Sequence, residues 1–217
     1  MQHARMLRIK SELSEQTGLE HDQPRFRKAA PLVLAALILF TVSCGTSLYK
    51  VKPPALLPPM PATSAAVNLG TISFRAAPLL TDEQSQELFE SNLLLAGLLP
   101  VRLEIVHTSG EAVELKTLRF HLRDAAGKEW KLISTKQAIG RILKANSVYA
   151  YNPSSRKTFE KEFRAYELDL KSTLGHVERQ RQGFLIFVSP GKEPVSSPHG
   201  LVLTIDGLGQ PAILHFN

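Results

Sequence analysis

The chain has 217 residues and a formal net charge of +6, with ordinary apolar content and a single cysteine. Ordinary apolar content excludes a disordered chain and predicts a globular domain with a real core. One cysteine excludes an internal disulfide framework and a thiolate-based zinc site. The positive charge is spread widely, and no basic run is interleaved with aromatics, so a nucleic-acid partner is not expected.

Arg25, Arg27 and Lys28 stand directly before an apolar run, residues 29–40, which is followed by Thr41-Val42-Ser43-Cys44-Gly45. A basic flank that stays in the cytoplasm and an apolar core that enters the bilayer are the grammar of a signal peptide. Small residues before the sole cysteine give this stretch a resemblance to the lipobox of bacterial lipoproteins. The resemblance implies that Ser43 precedes the cleavage point and that the thiol of Cys44 is acylated, palmitate included. It also implies that the protein is membrane-anchored outside the cytoplasm. Gly45 lacks the aspartate of the inner-membrane retention rule, so the outer membrane is implied where there are two, and otherwise the cell surface. The alternative is an uncleaved anchor, because no charge occurs between Lys28 and Lys50 and about 20 such residues span a bilayer. Either way the basic flank orients the domain outward.

Three regions are therefore expected: residues 1–43 as signal peptide, 44–66 as lipidated cysteine and proline-rich tether, and 67–217 as the domain. The tether carries five prolines between Lys50 and Ala66. Proline removes backbone donors and favours extended geometry, so a spacer is expected, with a proline-rich docking motif as the sharper alternative.

Within the domain, Val67 to Phe74 reads as a short extended segment. Thr81 with Gln84 forms a capping box that opens a helix towards Phe89. Pro100 to Ile105 alternates, with Val101, Leu103 and Ile105 on one face. Val113 and Leu115 point one way and Leu118, Phe120 and Leu122 the other, which predicts a β-bulge near Lys116 and Thr117. Glu129 to Ile133 is the next strand. Ser134 with Gln137 is a second capping box, before the helical stripe Ala138, Ile139, Ile142 and Leu143. Phe159, Phe163 and Tyr166 recur at helical spacing, with Glu160 and Arg164 paired at i, i+4. Gly183 to Val188 fits a central strand, and Leu201–Ile205 with Ala212–Phe216 reads as a closing hairpin around Asp206-Gly207-Leu208-Gly209.

This pattern predicts a mainly β fold: two packed antiparallel sheets with a helical insertion at about 134–165. Leu174 to Phe187 resembles the late strands of bacterial immunoglobulin-like lipoprotein domains, which implies an immunoglobulin-like β-sandwich.

The search for chemistry yields little. No serine lies in a Gly-x-Ser-x-Gly elbow, and no His-x-x-x-His pair places two ligands on one helical face. No catalytic residue, metal site or cofactor is expected. His107 falls on an inward strand position and His121 on an outward one. Glu160, Glu162, Glu167 and Asp169 each neighbour Lys or Arg and read as solvated charges. One surface stands out on the insertion: Lys136, Arg141, Lys144, Arg156, Lys157, Lys161 and Arg164, with Tyr149 and Tyr151 between. Such a patch suits an anionic partner, a lipid headgroup or an acidic protein face. The function expected is a non-enzymatic binding or assembly module with a protein partner in the envelope. The alternatives are an envelope enzyme or enzyme accessory, and a carrier of an apolar ligand.

Overall fold

The computed structural model describes residues 47–216, so the basic flank, the apolar run, Ser43 and Cys44 lie outside the described residues. The described residues form one compact unit. Its strands are β1 (Ala65–Leu69), β2 (Ile72–Pro78), β3 (Leu98–His107), β4 (Val113–Glu114), β5 (Arg119–Arg123), β6 (Glu129–Leu132), β7 (Thr173–Leu174), β8 (Gln180–Val188), β9 (Leu201–Asp206) and β10 (Ala212–Phe216). Its helices are α1 (Asp82–Phe89), α2 (Thr135–Ala145) and α3 (Pro153–Arg164).

Eight strands form one antiparallel sheet in the order β1-β2-β3-β8-β6-β5-β9-β10. The two end strands lie against each other, so the sheet rolls nearly into a barrel. The two sheets expected from the sequence are joined by β6. Its Glu129 and Trp130 pair with β5, while Lys131 and Leu132 pair with β8.

Alternation explains which side chains fill the roll. Val101, Leu103 and Ile105 of β3 meet Phe74 of β2, Leu185 and Phe187 of β8, Leu122 of β5 and Leu203 of β9 in one buried core. The opposite face of β8 is also apolar. Phe184, Ile186 and Val188 pack under the helices in a second core with Phe89, Ile139, Ile142, Phe159 and Phe163. A strand covered on both faces must be apolar at every position, which is why residues 184–188 show no alternation.

Both capping boxes form: Thr81 and Ser134 accept from the backbone N–H of Gln84 and Gln137, whose side chains accept from the cap residues in return. Asn152 caps α3, with Pro153 in its first turn. The insertion thus occupies the predicted place. After α3 the chain returns along β8, where the Phe184 N–H donates to the Tyr166 carbonyl at 2.7 Å. Gly183 makes room for this crossing, since a Cβ there would lie 2.6 Å from Leu168 Cα.

Several expectations are corrected. The segment 67–74 is not one strand but part of a hairpin, β1 and β2, turning at Gly70 (φ +58) and Thr71. No bulge joins Val113 to Arg123. β4 pairs with β7 in a separate two-stranded sheet, and a 3-10 turn at Leu115–Thr117 resets the parity before β5. Three residues of tight helix change the side-chain direction without any ladder to bulge. Glu160 pairs with Arg156 at 2.8 Å, one turn N-terminal, rather than with Arg164.

The proline-rich segment lies on the domain rather than standing away from it. Val51 is buried in the second core, and the Tyr49 ring meets Phe159 at 5.1 Å. The Lys52 N–H donates to the Leu88 carbonyl at 2.9 Å, and the Tyr166 hydroxyl donates to the Lys52 carbonyl. Further along, Arg102 donates to the Pro58 carbonyl at 2.7 Å and Arg75 to the Pro61 carbonyl at 3.2 Å. Proline lacks a backbone donor but keeps its carbonyl, and the two arginines bind two of these carbonyls, the Pro61 one also accepting from Ser64.

Candidate functional site

α2 and α3 form the outer layer, held by Ala138, Ile139, Ile142 and Leu143 from one and by Phe159 and Phe163 from the other. Their solvent faces carry the basic residues singled out from the sequence. The structure divides that set into two groups.

Arg141 and Arg156 are engaged by the protein itself. Arg141 donates from Nε to the Ala96 carbonyl at 3.0 Å and from Nη2 to the Lys192 carbonyl at 2.6 Å. It ties α2 to two loops, one of them turning at Gly97 (φ +70). Arg156 is gripped by Glu160, donates to the Tyr151 hydroxyl and stacks over that ring at 5.4 Å. These contacts, Glu160 first, hold its guanidinium further above its ordinary value.

Lys136, Lys144, Lys157, Lys161 and Arg164 are exposed, as is Tyr149 at 76%. Among the described residues none of the five cations forms an ion pair. Lys157, Lys161 and Arg164 follow i, i+4, i+7 spacing and share one face of α3. They line an open depression of about 450 Å³ with Glu160 and Ala165. Lys161 also borders a second depression of about 340 Å³, whose far wall is Val51, Lys52, Pro53 and Pro54. The proline-rich segment therefore runs beside the basic face. Lys50 is exposed at its start, where its backbone N–H donates to Glu90 beyond α1.

Under the proline-rich segment lies a small cavity of about 160 Å³, walled by Leu57, Pro58, Leu79, Leu88, Arg102 and Phe184. Arg102 is only 6% exposed, and Gln182 takes a second bond from it at 2.9 Å. Burial pushes its guanidinium down and the Glu104 carboxylate opposes this. Another open depression, about 660 Å³, lies between the β5–β6 turn and the loop after β8. Its Asp124 is fully used by the turn, accepting from the N–H groups of Ala126 and Lys128 and from the Trp130 indole. The sequence offered no signal for it beyond the turn residues.

His107 is buried at the inner end of β3, its Nε2 2.9 Å from the Glu111 carbonyl. His121 is outward, 3.0 Å from Glu129. Among the described residues no three His, Cys, Asp or Glu side chains group as metal ligands, and no helix is long and apolar enough to cross a membrane.

Fold and site together define a mainly β domain with a basic helical layer on one outer face. Compared with protein families, curated proteins and solved structures, the chain finds no match.

Proposed function

We propose that the chain is a bacterial envelope lipoprotein, acylated on Cys44 after cleavage behind Ser43, whose domain is a non-enzymatic binding or assembly module. The observation that carries the address is the conjunction of basic flank, apolar core, small residues and sole cysteine. The binding role is supported by the five exposed, unpaired cations on α2 and α3, a charge set suited to an anionic envelope partner. The fold belongs to the same reading as an immunoglobulin-like sandwich, with β1-β2-β3-β8 and β5-β9-β10 enclosing a shared core and β6 as the joining strand. Where two membranes are present, the outer one holds the anchor.

The test is mass spectrometry of protein extracted from bacterial membranes. A diacylglyceryl mass on a new N-terminal Cys44, lost together with cleavage in Cys44→Ser, is the expected result. Wild-type protein without lipid mass, still carrying residues 1–43, would replace the lipoprotein with an uncleaved anchor.

A further inference from the structure

We infer that the face of α3 formed by Lys157, Lys161 and Arg164 rests on the anionic headgroup surface of the membrane that holds the chain. The inference depends on the anchored reading above and names the partner of that basic surface.

Two observations carry it. The first is where the chain joins the domain. Tyr49 is fixed against Phe159 of α3, and Val51 is buried one strand-step further on. Only four residues lie between Cys44 and Tyr49, and five residue steps reach at most about 18 Å. The proline-rich segment provides no standoff while it is docked. A lipid on Cys44 therefore keeps the bilayer within reach of the side of the domain where Tyr49 meets α3 and Lys50 meets the end of α1. An uncleaved apolar segment ending at Phe40 does the same from a few residues further out.

The second is charge. Of the acidic groups on α3 itself, Glu160 is held by Arg156, and Glu162 has one carboxylate oxygen enclosed by protein. On the α1 side of the proline-rich segment, Glu87 is held by Lys52 at 2.7 Å, and Glu90 accepts from the Lys50 N–H. Lys157, Lys161 and Arg164 are exposed and form no ion pair among the described residues. Polybasic faces within a Debye length of anionic lipid are drawn to it, and the attraction is screened by salt. An acidic protein face would satisfy the charge as well, but nothing would place it next to Cys44.

The full chain, reconstituted by its own N-terminal segment into vesicles, gives the test. Lysine labelling with a membrane-impermeant amine reagent is read by mass spectrometry, in phosphatidylcholine alone and with about one third phosphatidylglycerol. The expected result is labelling of Lys157 and Lys161 reduced about threefold in anionic vesicles and restored by 0.5 M salt, with Lys128 and Lys131 unchanged. Equal labelling in both vesicle types, with the protein still vesicle-bound, overturns the lipid surface but leaves the anchor standing. Protection only on adding polyglutamate assigns the face to an acidic protein segment and also overturns it. Protein bound to neither vesicle type removes the anchored reading, and this inference with it.

Discussion

Arg102 Nη1 and the Pro58 carbonyl oxygen lie 2.7 Å apart across 44 residues of chain. The bond closes the proline-rich segment over β3 and buries an arginine whose Nε has no partner among the described residues. Buried charge tolerates this only where the remaining bonds are well made. Arg102→Met removes the clamp while an unbranched side chain still fills most of the space. A net hydrogen bond to a charged donor contributes about 1.5–3 kcal/mol, so release of the segment should rise at least about tenfold. Trypsin cleavage after Lys50 reads that release, because the chain is cut only when Val51 leaves its site. An unchanged cleavage rate would mean that Val51 and Tyr49 hold the segment alone. By the same logic, a chain beginning at Ala66 should unfold at lower urea than one beginning at Ser47, by about 2–3 kcal/mol for the lost Val51 burial and the Tyr166 bond.

Arg141 and Lys144 are both basic residues of α2, yet they should respond differently to reversal. Arg141→Glu loses bonds to the Ala96 and Lys192 carbonyls and sets a carboxylate against both. A cost of about 2–3 kcal/mol is expected. Lys144→Glu changes only a solvated position near the negative end of the helix, and about 0.5 kcal/mol is expected. Urea midpoints of the two variants check the contrast, and equal midpoints would contradict it.

Gly183→Ala adds a methyl where Leu168 Cα and N lie 2.6 and 2.7 Å away. Backbone cannot swing aside as a side chain does, so the chain crossing at β8 must shift. Destabilisation of about 2–3 kcal/mol or more is expected. Gly127→Ala, at a turn with open space around its Cβ position but φ +72, should cost about 1 kcal/mol, from conformation alone. Thermal unfolding of the pair separates the two mechanisms.

Acid should weaken the fold through groups held below their ordinary values. The Lys171 N–H and then the Ser172 hydroxyl lower Asp169, with Arg181 adding to them, and the His121 hydrogen bond lowers Glu129. For a depressed carboxylate the unfolded chain binds protons first. The contribution is therefore complete above the ordinary carboxylate range and disappears as pH falls through the folded value, between about pH 5 and 2. Melting temperature should fall over that window, and Asp169→Asn should make the fall shallower. A slope unchanged in the variant would assign the acid sensitivity elsewhere.

Legibility followed the range of the interactions. Thr81 with Gln84 and Ser134 with Gln137 are separated by three residues, so both helix starts could be read directly and lie where expected. The Val101, Leu103, Ile105 stripe was equally local, and it marks the inner face of β3. The hairpin at Gly70 was hidden because a two-residue turn leaves almost no gap in the alternation on either side. The parity change at Lys116 was visible, but its cause was not: whether a bulge or a 3-10 turn absorbs it depends on what β4 pairs with, and β7 lies far along the chain. The basic patch was legible as composition. Its division depends on carbonyls at Ala96 and Lys192 and on a tyrosine hydroxyl, none of which announces itself by residue type. Least legible was the docking of the proline-rich segment. Its composition describes a stiff, solvated strand equally well, and only the distant Arg75, Arg102 and Tyr166 decide otherwise.

The pairing of β3 with β8 sets the order in which the molecule can be made. Arg102 and Gln182, neighbours in the finished sheet, are separated by 80 residues. As the chain is made or delivered from its N-terminus, β1, β2 and β3 can form a meander early, with one edge of β3 still bare. That edge stays open through the whole helical insertion, until Val188 has emerged. A long apolar strand with an unsatisfied edge invites pairing with other chains, and distant contacts form slowly. The interval between residues 107 and 188 is thus when the nascent protein most needs a chaperone, and a peptide matching Gln180 to Val188 is the sequence best suited to fill that edge.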